Sequence, residues 1–236
     1  MPTVTVVRVK NVITGGISTI FETTNEFIQE EVHEDNIFYQ VKNNNYITDD
    51  DRIIFFGDHC WVPYFKSHFD EFEEFGTADT RDVDTLDIAV DKLILNKLEE
   101  GSKFKILASH IIGVDSSGHG YGSRSANLER KLIDSQKLIK AIMEKMDDQT
   151  TLVIFGDHGM TEDGNHGGNT DVELATVFFA YQKQPFPMYD SYRNNLDFFY
   201  NLDHSVKLGD VAAIISSMLD IPFPFSNMGN MHPLFA

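Results

Sequence analysis

Thr151-Leu152-Val153-Ile154-Phe155-Gly156-Asp157-His158-Gly159-Met160 is the stretch that decides the fold. An apolar run stops at a glycine and is followed by an aspartate and a histidine side by side. Asn165-His166-Gly167-Gly168 follows shortly after. The same arrangement occurs twice upstream. Arg52-Ile53-Ile54-Phe55-Phe56 precedes Gly57-Asp58, and an apolar stretch ending at Ile112 precedes Gly113-Val114-Asp115, with His119 four residues further on. Short, continuous apolar runs bounded by turn residues read as strands buried on both faces.

Strands are predicted over 52–56, 104–112, 152–155 and 174–181. Helical spacing lies between and beyond them. Residues 84–98 align Leu86, Val90, Leu93, Ile94 and Leu98, and residues 128–146 align Leu132, Ile139, Ile142, Met143 and Met146. Residues 208–219 form a further apolar stripe, and Val6, Val9 and Ile13 predict a short helix after Thr5. The alternation defines an α/β class: a doubly wound, mostly parallel sheet with helices on both faces. Such sheets bind ligands beyond the carboxyl ends of their strands, so Asp58, Asp115 and Asp157 are expected along one edge. No internal repeat or low-complexity linker divides the chain, and residues 1–236 read as a single domain. Residues 183–204, rich in Tyr, Asn, Asp and Pro, read as a surface insertion.

The chain has 236 residues, 42% hydrophobic and 24% charged, an ordinary globular composition. The net charge of −18 argues against binding to the phosphate backbone of nucleic acid. Cys60 is the only cysteine, which excludes an internal disulfide. No window of about 18 apolar residues reads as a transmembrane helix. The start Met1-Pro2-Thr3 has neither the basic nor the apolar region of a signal peptide.

Asp115, His119, Asp157, His158 and His166 together supply two carboxylates and three imidazoles, a donor set suited to a pair of borderline-soft divalent ions. Each has a plainer reading in isolation. Asp157-His158 could be a polar turn, and Asp115-Ser116-Ser117-Gly118 an Asx-turn. His110 lies inside a predicted strand and could be a satisfied histidine. Asp58 and His59 could be substrate contacts or turn residues. His33, His68, His204 and His232 have no ligand context. Thr5 precedes a helical stripe, where it could serve as N-cap. It could also be a nucleophile, because a helix N-terminus favours negative charge.

Taken in order, these pieces resemble the GPI ethanolamine phosphate transferases of the alkaline phosphatase superfamily. The resembling segments are Pro2-Thr3-Val4-Thr5 with Arg8, Lys10 and Thr14-Gly15; Phe56-Gly57-Asp58 with Trp61; Asp82-Val83-Asp84-Thr85; His110 to His119; Gly156 to Met160; Asn165-His166-Gly167; and Leu219 to Pro224. They span nearly the whole chain outside 183–204. His166-Gly167-Gly168 and the Pro222-Phe223-Pro224 ending look like type 3 of the family. Pro2-Thr3-Val4-Thr5, Trp61-Val62 and His68-Phe69 look equally like type 2, and the balance falls toward type 3.

The resemblance implies a two-zinc site. It assigns Asp115, His119 and His166 to one ion, and Asp157, His158 and the oxygen of the nucleophile Thr5 to the other. Thr5 stands nine residues before the Thr14 of Thr14-Gly15, the spacing of related phosphodiesterases. Asp58 and His110 become substrate contacts. The implied reaction moves phosphoethanolamine from phosphatidylethanolamine to a mannose of the GPI glycolipid precursor, through a phospho-threonine intermediate. The implied setting is the lumenal side of the endoplasmic reticulum membrane, reached through segments outside this chain, with a small membrane subunit as a further partner. One departure stands out. The family's second metal also takes an Asp from a strand upstream of the nucleophile, and none precedes Thr5 here. The expectation is a fragment of the lumenal catalytic domain that lacks its N-terminal strand. Two other readings stay open: a phosphodiesterase or phosphatase using the same metals with water as acceptor, and a catalytically inactive binding domain.

Overall fold

A computed structural model of the protein describes residues 2–17, 31–43, 48, 51–76, 79, 81–186, 205–232 and 235. The strand β1 (Ile53–Asp58) is its centre, buried at all six positions. Successive side chains of a strand point to opposite faces, and β1 uses both. Ile53 and Phe55 enter a core with α1 (Thr5–Thr14), α2 (Ile37–Asn43), the short α3 (Val62–Phe65) and, late in the chain, Val211 and Ala212. Ile54 and Phe56 enter a second core with Leu86, Val90 and Ile94 of α4 (Thr85–Glu99). This is the covering of both faces that the uninterrupted apolar run predicts.

β1 pairs in parallel with β2 (Glu71–Phe75) on one side and β3 (Ile106–His110) on the other. From β3 the chain enters α5 (Gly113–Tyr121) and then α6 (Ala126–Lys145), which packs on α4 and α5. β4 (Leu152–Phe155), α7 (Asp171–Leu174), β5 (Phe178–Tyr181) and α8 (Asp210–Met218) complete the order, with α8 packed on α1.

Three expectations need correction. β2 was not predicted: Glu71-Phe72-Glu73-Glu74-Phe75 carries too many carboxylates for an apolar run, as suits an edge strand. The parallel sheet is there in β1, β2 and β3, while β4 and β5 pair antiparallel in a two-stranded sheet of their own among the described residues. The predicted strand 174–181 begins late. Thr170 and Glu173 form a capping box that starts α7, and Leu174 ends that helix. The reading of 183–204 as an insertion falls, from 187 onward, outside the described residues.

Candidate active site

Three segments meet where β3 and β4 end. The first is the start of α5. Asp115 lies in its first turn, where the free backbone N–H groups favour a carboxylate, and His119 follows one turn later. Asp115 is therefore helical rather than the head of an Asx-turn. The start of α5 is pinned from α4: Asp87 Oδ1 accepts the backbone N–H of Ile112 at 3.1 Å and of Gly113 at 3.0 Å. Its other oxygen pairs with Lys131 Nζ at 2.7 Å, and both side chains are buried. Gly113 is required at this junction, since a Cβ would run into Asp87, Lys131 and the carbonyl of Val83.

The second segment leaves β4 through Gly156 to Asp157 and His158, then loops through His166. Gly164 takes a positive φ of 81° and lies so close to the carbonyl of Gly118 that a Cβ would collide with it. That approach seats the loop against α5. The third segment is the N-terminal arm. Thr3 is fully buried; its hydroxyl accepts the Gly167 N–H at 2.7 Å and donates to the Gly168 carbonyl at 3.1 Å. Glu173 holds the other end of the loop, accepting N–H groups from Gly168 and Thr170. The Thr170 hydroxyl keeps its carboxyl below the usual range.

These supports orient the imidazoles. His166 donates from Nδ1 to the Thr3 carbonyl at 2.6 Å, and His158 from Nδ1 to the Gly159 carbonyl at 3.0 Å. In both rings Nε2 is left facing the site, the arrangement typical of histidines that hold a metal. Their rings stack, with centroids 3.8 Å apart, and His119 stands 4.9 Å from His166. Thr5 is the first residue of α1, with Val4 at the N-cap position, so the expected capping role is not the one it fills. Its Oγ1 lies 3.3 Å from His158 Nε2. Thr3, whose hydroxyl is committed to the 166–168 loop, is not available in the same way. Arg8, buried on α1, lies within the field of Asp157; burial lowers its affinity for the proton and Asp157 opposes that.

The fit to divalent ions can be judged from the donors. Asp115 Oδ1 and Asp157 Oδ2 are shut off from solvent and accept no hydrogen bond. The carboxylate–imidazole pairs His119–Asp115, His166–Asp115 and His158–Asp157 stand at 3.5, 3.5 and 3.4 Å. That is long for a charge-assisted hydrogen bond. It is close to the edge of a tetrahedron with bonds of about 2.1 Å to a central ion. Donor atoms of Asp115, His158 and His166 all lie within 4.8 Å of one another. The residues present therefore fit a metal. This trio takes members from both sets that the resemblance assigned to separate ions.

Thr5, Asp115, His119, Asp157, His158 and His166 are thus brought together. Asp58 and His110 belong to a different group, beside each other and beside Cys60, near enough for Asp157 to act on the Cys60 thiol. The sequence reading missed Thr3 and Asp87. Both act on backbone groups, and a Thr or an Asp in those contexts has no distinguishing pattern.

Residues 14–181 match the type I phosphodiesterase / nucleotide pyrophosphatase family, and the chain belongs to that family. Among curated relatives, GPI ethanolamine phosphate transferase 3 of Saccharomyces cerevisiae is 31% identical over 97% of this chain and 22% of its own length. The catalytic subunit of GPI ethanolamine phosphate transferase 3 of Homo sapiens is 27% identical over 98% of this chain and 20% of its own. GPI ethanolamine phosphate transferase 2 of Kluyveromyces lactis is 26% identical over 97% of this chain and 30% of its own. The chain spans less than a third of the length of each of these relatives. A Leishmania mexicana phosphoglycerate mutase structure aligns with 77% of this chain and 37% of its own, at 10% identity and a TM-score of 0.47. No helix among the described residues is long and apolar enough to cross a membrane.

Proposed function

We propose that this chain forms one catalytic domain that transfers phosphoethanolamine from phosphatidylethanolamine to a mannose of a GPI glycolipid precursor, with Thr5 as the nucleophile. The observation that carries the reading is the Thr5 hydroxyl, set at the first position of α1 and 3.3 Å from His158 Nε2 among the Asp and His donors. The names of the relatives support a GPI acceptor and an ethanolamine phosphate group; the phosphatidylethanolamine donor and the mannose come from the resemblance.

Asp115, His119 and His166 would hold one divalent ion, zinc by donor type, and Asp157 and His158 with the Thr5 oxygen a second. When bound, such ions favour the ionised hydroxyl and neutralise charge on a phosphoryl group. The chain's own residues do the rest. The start of α1 presents its free N–H groups to a phosphate. Thr5 Oγ forms a bond to phosphorus as the bond to the diacylglycerol oxygen breaks, and the hydroxyl proton ends on that leaving oxygen or on solvent. A mannose hydroxyl then displaces Thr5, regenerating its hydroxyl. Type 3 specificity, an endoplasmic reticulum setting facing the lumen, membrane segments outside this chain and a small membrane partner subunit belong to the same proposal.

The test uses the intact protein in phosphatidylethanolamine vesicles with a mannoside acceptor. Thr5→Ala is expected to reduce transfer by about a thousandfold or more, and acid quenching should trap phosphoethanolamine on Thr5 in the parent. Full activity of the alanine variant would reject the nucleophile. Release of phosphoethanolamine to water with no mannoside product would favour a hydrolase instead.

A further inference from the structure

A second group of metal-binding side chains stands at the ends of β1 and β3, outside the cluster that carries the proposed transfer. β1 and β3 run parallel with Gly57 opposite His110. The glycine permits an unusually close approach, since a Cβ there would stand 2.6 Å from both the backbone N and O of His110. The next residue, Asp58, is buried at 8% exposure. The chain then turns back on itself: the Cys60 N–H donates to Asp58 Oδ1 at 3.0 Å. This turn folds the thiol over the strand ends, with Sγ 3.8 Å from His110 Nδ1. One donor atom each from Asp58, Cys60 and His110 lies within 4.8 Å of the others. The Trp61 ring closes one side, 6.1 Å from the His110 ring and stacked on Phe55.

We propose that Asp58, Cys60 and His110 form a site for a thiophilic divalent cation, of the zinc or cadmium class, separate from the Asp115–His158–His166 group. Carboxylate, thiolate and imidazole are the donors such ions select. With bonds of about 2.3 Å to sulfur and about 2.0 Å to nitrogen, the sulfur–nitrogen edge of a tetrahedral site is roughly 3.5 Å. The observed 3.8 Å is within a few tenths of it. Burial, then Asp58 and, more weakly, Asp157 push the Cys60 thiol up, so it keeps its proton until a cation displaces it. Binding exchanges the two: the S–H bond breaks, a sulfur–metal bond forms, and the proton leaves to solvent. One thiolate and one carboxylate then balance a divalent ion. Three protein donors leave a fourth position for water or a ligand oxygen.

Because Cys60 is the only cysteine, any thiolate–metal signal reports this site alone. The purified chain is titrated with cobalt(II). A sulfur-to-cobalt charge-transfer band in the near ultraviolet should grow to the intensity of about one thiolate-bound cobalt per chain, beside the cobalt taken up by the other cluster, collapse on adding zinc, and be absent in Cys60→Ala. It should persist in His166→Ala, which breaks the other cluster. A second measurement needs no variant: saturating zinc should slow alkylation of Cys60 by iodoacetamide at least tenfold. Cobalt binding by the parent with no such band, loss of the band in His166→Ala, or alkylation at the same rate with and without zinc would each overturn the site.

Discussion

The two sheets of this molecule are held in different ways. In the three-stranded sheet, β1 is sealed on both faces, and Phe55 stacks on Trp61 at 5.4 Å and on Phe69 at 5.1 Å. In the β4–β5 sheet every described position is partly exposed, and Phe179 is 41% exposed. Yet β4 leads into Asp157, His158 and His166. Apolar packing fixes the first region. The second touches that core through Phe155 and Phe178, but its site loops are positioned by polar groups that bind backbone: Thr3 and Glu173 on the 166–168 loop, and Asp87 on the facing turn. The lesson is that a site open to substrate cannot rely on burial, so hydrogen bonds from buried side chains replace it.

The largest test of this contrast is in the cores. Phe55→Ala should destabilise the fold by about 3–5 kcal/mol, because the cavity opens among stacked rings that cannot collapse. Phe179→Ala should cost less than about 1 kcal/mol. Urea denaturation of the two variants checks the order; equal losses would break the distinction.

Asp87 links the two regions and comes next. Asp87→Ala leaves the buried Lys131 with only its longer contact to Asp84 at 3.5 Å and leaves the Ile112 and Gly113 N–H groups without their acceptor. Its cost should be about 3–5 kcal/mol. Zinc affinity should fall with it, since the turn it pins carries Asp115. Calorimetric zinc titration would show this, and unchanged affinity would place Asp87 wholly on the structural side.

Thr3→Val is smaller and more local. It removes the hydroxyl that holds Gly167 and Gly168 and should lower the free energy of local opening of that loop by about 1–3 kcal/mol, leaving global stability nearly unchanged. Zinc affinity should drop about 10- to 100-fold. Amide exchange in β1 should stay as in the parent; faster exchange there would mean that the two regions are not separately held.

The same difference explains what could be read from the sequence. β1, α4 and α8 are legible because burial writes itself as apolar runs or helical stripes; α6 is legible as a helix, but Leu132 of its expected stripe is exposed while Lys131 and Leu138 are buried. Asp115, Asp157 and His166 are legible because each follows an apolar strand at short spacing. Thr3 and Asp87 leave no pattern, since they act on N–H and C=O groups that every residue carries. Cys60 is equally hidden: its nearness to His110 comes from the β1–β3 register and the Gly57 approach, not from spacing along the chain. β2 was missed because its carboxylates hide its two phenylalanines, and α7 because four residues started by a capping box are too short to show a helical stripe.

The smallest effect lies on the sealed side. Asp91 on α4 has a buried carboxylate oxygen that accepts no hydrogen bond. Burial, then the nearby Asp87, raises its pKa from 3.8 to about 6; Asp134 adds to the shift and Lys131 opposes it. The folded state thus holds this proton more tightly than the unfolded chain does. Asp91 costs nothing while protonated in both states, and the cost grows as pH rises from about 4 to about 6. Above that window it is fully present. Asp91→Asn should therefore stabilise the protein at pH 8, by on the order of 1–2 kcal/mol after allowance for partial exposure. The gain should vanish near pH 4. Paired urea curves at the two pH values decide it, and a difference that does not change with pH would show that Asp91 is not strained by its charge.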